Sequence, residues 1–288
     1  MDGDEIAVNE CKPIIRAFLL SWKSPLDKDP NFVTALGRGL DILRCFTPEK
    51  QELGTTEIAR MTGMAQSTVW RLCYTLSKYG CLTPGRSPDR LRVGAGVLLL
   101  GHAAVLHDGI AQAALPLLKQ LADEFDASVS LAERHGTHMI IVQRSEAPNI
   151  VKVDLHIGSS LSIGQSSLGL AYLSAIDTET RAPLMKLLKA ENPEYWDEIQ
   201  KDITSAQSEY STAGYVFNLG RSHKDINAVG VPVISPDGTH VMAITCGGVR
   251  SSMTRDKLAG KVAPALKVVA STIALMLGSP SAAPAQRR

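Results

Sequence analysis

Residues 55–78 read TTEIARMTGMAQSTVWRLCYTLSK, and the fold turns on how this stretch is parsed. It divides into two short helices joined by a tight turn. Thr55 has the chemistry of an N-cap, and Glu57 sits in the first turn, where a carboxylate favours the positive end of the helix dipole. Ile58 and Ala59 give a small inward face, and Gly63 falls where the chain must leave the helix with positive φ. In the second run Val69, Leu72, Cys73 and Leu76 recur at i, i+3, i+4 and i+7 and form one apolar stripe. The other face carries Gln66, Ser67, Thr68, Trp70, Arg71, Tyr74 and Lys78, with no acid among them. Side chains of this kind at the start of a second helix can read base edges in a DNA major groove. Two amphipathic helices around a glycine turn also occur in helical bundles, so the neighbouring sequence has to decide.

It favours DNA. After Gly80, the stretch CLTPGRSPDRLRV gives two short extended pieces around Pro-Gly and Ser-Pro-Asp turn residues. This predicts a β-hairpin wing carrying Arg86, Arg90 and Arg92. From Gly54 to Gly94 six Lys/Arg face two acids, a net of +4, while the whole chain is +1 and the remainder therefore −3. A basic segment in a near-neutral protein is the electrostatic footprint of phosphate contact. Thr55 and Thr56, at the start of the first helix, join the DNA-contact candidates.

The chain has 288 residues, 44% hydrophobic, enough for two globular domains. Its five cysteines (Cys11, Cys45, Cys73, Cys81 and Cys246) show no CxxC spacing, which points to a reducing compartment and away from a disulfide framework or zinc site. His135 and His138 lie in a predicted hairpin and read as turn or surface histidines. The run Ile14–Leu20 is short and broken by Arg16, so neither a signal peptide nor a membrane span is expected. A cytoplasmic protein is expected.

The organisation along the chain is α+β. Residues 1–31 form an N-terminal extension, in which Ile14–Trp22 is either a short helix docking on a partner subunit or a little-ordered segment. Residues 32–94 form a winged helix-turn-helix domain, its first helix marked by Leu36, Leu40, Leu43 and Phe46. Residues 95–278 contain a linker helix, GAGVLLLGHAAVLHDG, and an effector-type domain. The linker is apolar nearly all round, which predicts burial on several sides, as a dimer seam or as a core helix of one subunit. An amphipathic helix follows over Ile110–Phe125, where Pro116 opens or kinks it. ASVSLAERHG, HMIIVQRSE and IVKVDLHIG then read as strands. A Ser/Gly loop leads into a small-residue helix, with further helices over Thr178–Leu188 and Pro193–Thr212. GYVFNLG, INAVGVPVIS and THVMAITCGG read as strands, Arg255–Leu277 as a closing helix, and 279–288 as a disordered tail.

These features together resemble the isocitrate lyase regulator (IclR) family of bacterial transcription factors, from about Phe32 to Gly278. The resemblance rests on ALGRGLDILRCF, on TTEIARMTGMAQSTVWRLCYTLSKYG, and on the wing ending LRVG. In the C-terminal half it rests on GSSLSIGQSSLGLAYLSA, on GYVFN followed by INAVGVPVISPDGTHVMAITCGG, and on the closing helix ending LG. DPNFVTALGRGL is similar in particular to the branch controlling aromatic-acid breakdown. The resemblance implies a winged DNA reader, a dimerising linker helix and a GAF-like effector domain. It further implies dimers or dimers of dimers, with organic acids or aromatic compounds as ligands. The effector positions it implies are Leu161, Ser162, Ile163, Gly164, Gln165, Ser166, Ser167, Asp225, Ala228, Thr245 and Gly247. The chain departs from the family pattern at Leu170, at Asp225, near Gly220 and Arg221, and at Gly247, all of which bear on the ligand.

Independently, the Ser159–Ser167 loop offers hydroxyls and N–H groups at a helix start, suited to a carboxylate or to capping alone. Cys246 has no nearby His or acid in sequence and reads as a small core residue. Gly164-Gln165-Ser166-Ser167-Leu168 misses the last glycine of a nucleophile elbow, and no Walker A or dinucleotide fingerprint occurs. No enzyme, cofactor or metal site is expected. The partners expected are double-stranded operator DNA and a small effector. A constitutive DNA-binding regulator and a winged-helix protein adaptor remain as alternatives.

Overall fold

Gly54 and Gly63 bracket the first helix of the reader. A computed structural model describes residues 30–107, 109–148, 150 and 155–278. The expectations for 1–29 and 279–288 lie outside the described residues. Contacts divide the chain into two compact units, 1–107 and 108–288.

In the first unit, α1 (Thr34–Arg44) precedes the short strand β1 (Glu52–Gly54), α2 (Thr55–Thr62) and α3 (Gln66–Lys78). The N-cap of α2 is Gly54, not Thr55, which is already the first helical residue. Gly54 has no side chain to cap with, so the Glu57 carboxylate does the capping work by accepting from the Gly54 N–H at 2.9 Å. Gly63 ends α2 at φ 72° and donates its N–H to Ala59 O, the left-handed exit that a glycine tolerates. Ile42, Ile58 and Val69, one from each helix, are fully buried together with Leu53, Cys73 and Leu82. Each such side chain contributes roughly 1.5–3 kcal/mol. Leu43 and Phe46 pack against this core, but Leu36 and Leu40 do not; they stay exposed because Gly39, Ile42 and Cys45 form the inward face of α1.

β2 (Leu82–Pro84) and β3 (Arg90–Val93) form the wing, and β3 also pairs with β1, giving the antiparallel order β1-β3-β2. The next helix, α4 (Gly96–His107), begins against the end of α3: Gly96 N–H donates to Gly80 O at 2.9 Å. A Cβ at Gly94 would stand 2.3 Å from Gly80 O, so this joint closes only around glycine. α4 thus belongs to the same compact unit as the reader. Within this unit Leu98, Leu99 and Leu100 are 65–76% exposed, and the side chains of 102–107 lie outside the described residues.

The second unit is a six-stranded antiparallel sheet of order β6-β5-β4-β9-β8-β7. Its strands are β4 (Ser128–His135), β5 (His138–Glu146), β6 (Ser160–Ser162), β7 (Val216–Leu219), β8 (Ile226–Ile234) and β9 (Val241–Val249). One face packs against α5 (Gly109–Phe125) and the C-terminal helical run, with Leu118, Val129, Val229, Ile244, Leu266 and Ile273 in that core. The other face packs against α6 (Ser167–Ala175), α7 (Thr178–Glu191) and α8 (Trp196–Ala213), through Ile141, Leu168, Leu188, Ile203 and Ala243. Pro116 lies inside α5 rather than at its start.

Two expectations need correction here. The strand expected over residues 150–158 falls partly outside the described residues, and Leu155–Gly158 is loop and turn; the pairing strand is the short β6 further on. His138 is buried, 6% exposed, because β5 pairs with β4 and β6 on both sides. The closing helix spans its expected length as one helical run, in which α9 (Arg255–Lys257) passes through a π turn at Leu258–Val262 into α10 (Ala263–Gly278). By length and composition Arg255–Gly278 could cross a membrane. Here its buried face, with Leu258, Val262, Leu266, Ala270 and Ile273, covers the sheet.

Candidate nucleic-acid interface and ligand cavity

The α3 stripe points inward through Val69 and Cys73, and this leaves Gln66, Ser67, Trp70, Arg71, Tyr74 and Lys78 exposed together, with Thr68 half-buried beside them. Gln66 Nε2 donates to Thr56 Oγ1 at 3.0 Å, so the starts of α2 and α3 are joined by two of the candidate residues. Trp70 neither folds back onto the first helix nor stands alone. It is 59% exposed and stacks on Tyr74, with ring centroids 5.7 Å apart, and Lys78 Nζ lies 5.1 Å from the Tyr74 ring centroid. The i, i+4, i+8 spacing brings these three into one ladder along the outer face.

The wing arginines divide into different environments. Arg86 has a side chain 95% exposed, and its backbone N–H is held by both oxygens of Glu52 at 3.2 Å. Arg92 donates from Nε to Pro84 O at 3.3 Å. Arg90 is committed within the domain, with Nη1 2.9 Å from Glu52 O and 3.2 Å from Glu57 Oε2, tying the wing to the start of α2. Thr55, at the first position of α2, shares that helix start. A surface recess of about 620 Å³ runs under the wing between Phe46, Pro48, Glu52 and Arg86.

The second unit holds a cavity of about 220 Å³ between the sheet and the N-terminus of α6. Its floor is built from two cross-strand rows. One runs Arg144, Ser130, Thr245, Gly230; the next runs Glu146, Ser128, Gly247, Ala228, Asn218; all but Gly230 and Glu146 line the cavity itself. Leu155, Leu161, Leu168 and Ile226 contribute apolar wall. Ser166 caps α6, its Oγ accepting from Gly169 N–H and donating to Ser162 O. Ser167 and Thr245 share a 2.7 Å hydrogen bond, and Thr245 Oγ1 donates to Val229 O, so Ser167 is the donor to Thr245. At Gly230 an added Cβ would sit 2.3 Å from Ser167 O. The helix start therefore rests directly on the strand.

Of the eleven effector positions expected, Leu161, Ser166, Ser167, Ala228, Thr245 and Gly247 line this cavity. Ser162, Ile163, Gly164, Gln165 and Asp225 do not. Ile163 is fully buried in the helix-side core, Gly164 packs against Ile199, and Asp225 is exposed on the β7–β8 loop. The Gln165 carbonyl instead receives Asn218 Nδ2 at 2.6 Å and Ser222 Oγ at 2.9 Å, fastening that loop to the α6 start.

Arg144, Ser128, Ser130 and Asn218 line the cavity and were not anticipated. Arg144 has a physical explanation. Leu131 pairs with Gln143 but Ala132 pairs with Ile141, so Val142 is an extra residue on β5. Met139 and Ile141 face the helix side, and strict alternation would send Arg144 to the opposite face with Val142. The bulge reverses the phase. Gln143 then reaches Ala111 O on α5, and Arg144 turns toward the cavity.

The buried thiols are chemically quiet. Burial pushes Cys246 and Cys45 up to about 12, with Asp41 adding to the effect at Cys45, and burial pushes Cys73 to about 11. Thiols held this far from ionisation are poor nucleophiles. Among the described residues no group of three or more His, Cys, Asp or Glu could hold a metal ion.

Comparison with known proteins matches these two units separately. The IclR helix-turn-helix domain matches residues 35–84, and the C-terminal domain of the bacterial transcriptional regulator IclR matches residues 102–275. The regulator TsaQ1/TsaQ2 of Comamonas testosteroni is 26% identical over 243 residues, 84% of this chain and 87% of its own. An IclR family transcriptional regulator from Brucella abortus superposes with TM-score 0.82 at 32% identity, over 91% of this chain and 98% of its own. An IclR homolog from Microbacterium hydrocarbonoxydans, solved in complex with 4-hydroxybenzoate, shares the fold with TM-score 0.63 at 18% identity, covering 83% of this chain and 97% of its own. With the winged reader, the curled sheet and both domain matches in place, the chain belongs to the IclR family of bacterial transcriptional regulators, with a helix-turn-helix DNA-binding domain and a C-terminal effector-binding domain.

Proposed function

We propose that the protein works in the cytoplasm as a homodimer on a two-fold-related operator, and that a small single-ring aromatic acid sets its DNA affinity. One observation supports the DNA-reading half most strongly: Gln66, Ser67, Arg71 and the Trp70–Tyr74–Lys78 ladder share one exposed face of α3. Gln66, Ser67, Thr68 and Arg71 are the base-reading residues, with Arg71 suited to guanine or phosphate. Thr55, Thr56, Arg86 and Arg92 hold the backbone, while Arg90 positions the wing. The exposed Leu98–Leu100 of α4, together with Leu36 and Leu40 of α1, supply the apolar surface for a second copy. Dimers could pair further through other surfaces.

The effector reading rests on the cavity. At about 220 Å³ it has room for a small aromatic acid. Hydroxyls of Ser128, Ser130 and Ser167 and the Arg144 guanidinium provide polar contacts beside the apolar wall of Leu155, Leu161, Leu168 and Ile226. The 4-hydroxybenzoate bound by the Microbacterium homolog belongs to the same size class. An effector can change DNA affinity only by favouring one reader geometry over another. The lever is α4: its start is hydrogen-bonded to the end of α3, so a change in its packing carries the reader with it.

The test is binding of the purified protein to its own upstream intergenic DNA across a salt series, with and without benzoate, 4-hydroxybenzoate and aliphatic acids. Specific binding that falls steeply with salt and moves with an aromatic acid supports the reading. Specific binding that no acid moves removes the effector half. Absence of specific binding at low salt removes both halves.

A further inference from the structure

We infer that Arg144 is the residue that selects a carboxylate in the cavity, and that Glu146 beside it restricts the effector to a single negative charge. This rests on the effector reading above. The β5 bulge exists at the one place that turns Arg144 from the α5 face into the cavity, and the Arg144 side chain there is only 9% exposed. A cation in an enclosure walled by leucine and isoleucine is costly unless something anionic or polar meets it. Its partners account for part of its capacity. Nε and Nη2 both donate to Glu146 Oε1, at 3.1 and 2.5 Å, and Nη1 donates to Ser130 Oγ at 2.7 Å. A guanidinium has five N–H donors. Glu146 covers one edge of the plane, and two N–H groups remain, one on each terminal nitrogen. Two such N–H donors on a charged guanidinium favour a carboxylate, with two anionic acceptor oxygens, over a neutral carboxamide with one.

Glu146 sets the second part of the specificity. It lies in the adjacent floor row, paired with Ser128, so the Arg144 charge is already balanced before ligand arrives. A monocarboxylate shares the guanidinium with Glu146. A dicarboxylate on a single ring adds a further anion close to Glu146 with no second Lys or Arg in the lining, where His223 is the other basic side chain. The aromatic ring then lies over Thr245 and Gly247, where the absence of a Cβ at Gly247 leaves room; a Cβ there would meet Ala228 at 2.7 Å. The effector class this assigns is an aromatic monocarboxylate.

The test is calorimetric titration of the full-length protein with benzoate and benzamide, 4-hydroxybenzoate and 4-hydroxybenzamide, and terephthalate. Wild type is expected to favour an acid over its amide by at least about tenfold, in keeping with a charged hydrogen-bonded pair. Arg144→Gln should weaken the acid about 10- to 100-fold while changing the amide less than about threefold. Arg144→Lys, which keeps the charge but not the fork, should fall between. Glu146→Gln should tighten the acid and bring terephthalate into the measurable range. The double variant Arg144→Gln with Glu146→Gln leaves no unpaired buried charge, and should still bind the amide and lose the preference for the acid. Equal weakening of acid and amide in Arg144→Gln and in the double variant would make Arg144 a structural residue and overturn the inference. So would an unchanged acid affinity in Arg144→Gln, or a weaker acid affinity in Glu146→Gln. Wild type binding neither acids nor amides would instead overturn the aromatic-effector reading, and this inference with it.

Discussion

Replacing Gly230 with alanine tests the seating of α6 on the sheet, on which the cavity depends. The new Cβ would stand 2.3 Å from Ser167 O, 2.9 Å from Ser167 C and 3.3 Å from the Ala171 Cβ. Two of these atoms are backbone, so no rotamer change relieves the contact, and the helix start must move back by roughly 1 Å. That movement strains the 2.7 Å hydrogen bond from Ser167 to Thr245. Overpacking of this kind costs roughly 1–3 kcal/mol, and a lost hydrogen bond roughly 1 kcal/mol more. For a domain of this size about 2–4 kcal/mol lowers the melting temperature by about 5–15 °C. The assay is thermal unfolding of the C-terminal transition, with operator binding measured beside it. DNA affinity without effector should hold, while aromatic-acid binding should fall. Gly260→Ala is the control, because a Cβ there meets nothing within 4 Å. If Gly230→Ala melts with the wild type and binds acids normally, the helix is not seated on the strand as described.

Other outcomes follow from the same geometry. Arg71→Ala should weaken operator binding by about 1–3 kcal/mol with an unchanged melting curve, checked by gel shift and circular dichroism. Arg86→Ala should weaken all DNA sequences alike and reduce the salt slope by about one, since its side chain is exposed at the wing tip. Ile58→Ala should destabilise the reader by about 2–5 kcal/mol in a denaturant titration, because Ile58 is fully buried in its core. His138 gives a pH signature. Burial, with a smaller contribution from His135, lowers its pKa to about 4 from 6.5. The folded value lies below the unfolded one, so its contribution is full above about pH 6.5 and is lost as pH falls toward 4, by at most about 3 kcal/mol. Glu191, raised by burial, acts with the opposite sign. His138→Gln should therefore flatten the acid side of the stability profile without removing it.

The reader was legible because its signals are local. The period of Val69, Leu72, Cys73 and Leu76, the glycine exit at Gly63, and the Pro-Gly wing turn each act within a few residues. β1 was missed because three residues carry no periodicity, and its pairing with β3 spans the whole reader. The exposure of Leu36, Leu40 and Leu98–Leu100 was hidden for another reason: an apolar pattern states that a face needs cover, not that the same chain supplies it. The cavity was half legible. Of the positions the family resemblance implied, Leu161, Ser166, Ser167, Ala228, Thr245 and Gly247 line the cavity, whereas Arg144 could not be placed, because HMIIVQRSE gives no sign of the extra residue at Val142. Ser128 and Ser130 alternate with Val129 and Leu131 and look like a solvent face, when what they meet is a cavity under α6. The π turn at Leu258–Val262 was equally silent, since it shifts the helical phase without interrupting the apolar run.

If two copies of α3 read one two-fold-related site, hydroxyl-radical footprinting on the upstream intergenic DNA should show it. The expected footprint is two protected half-sites on one face of the duplex, separated by whole helical turns, both lost in Arg71→Ala and altered by an aromatic monocarboxylate. Uniform protection without half-sites, or an identical footprint in Arg71→Ala, would contradict it.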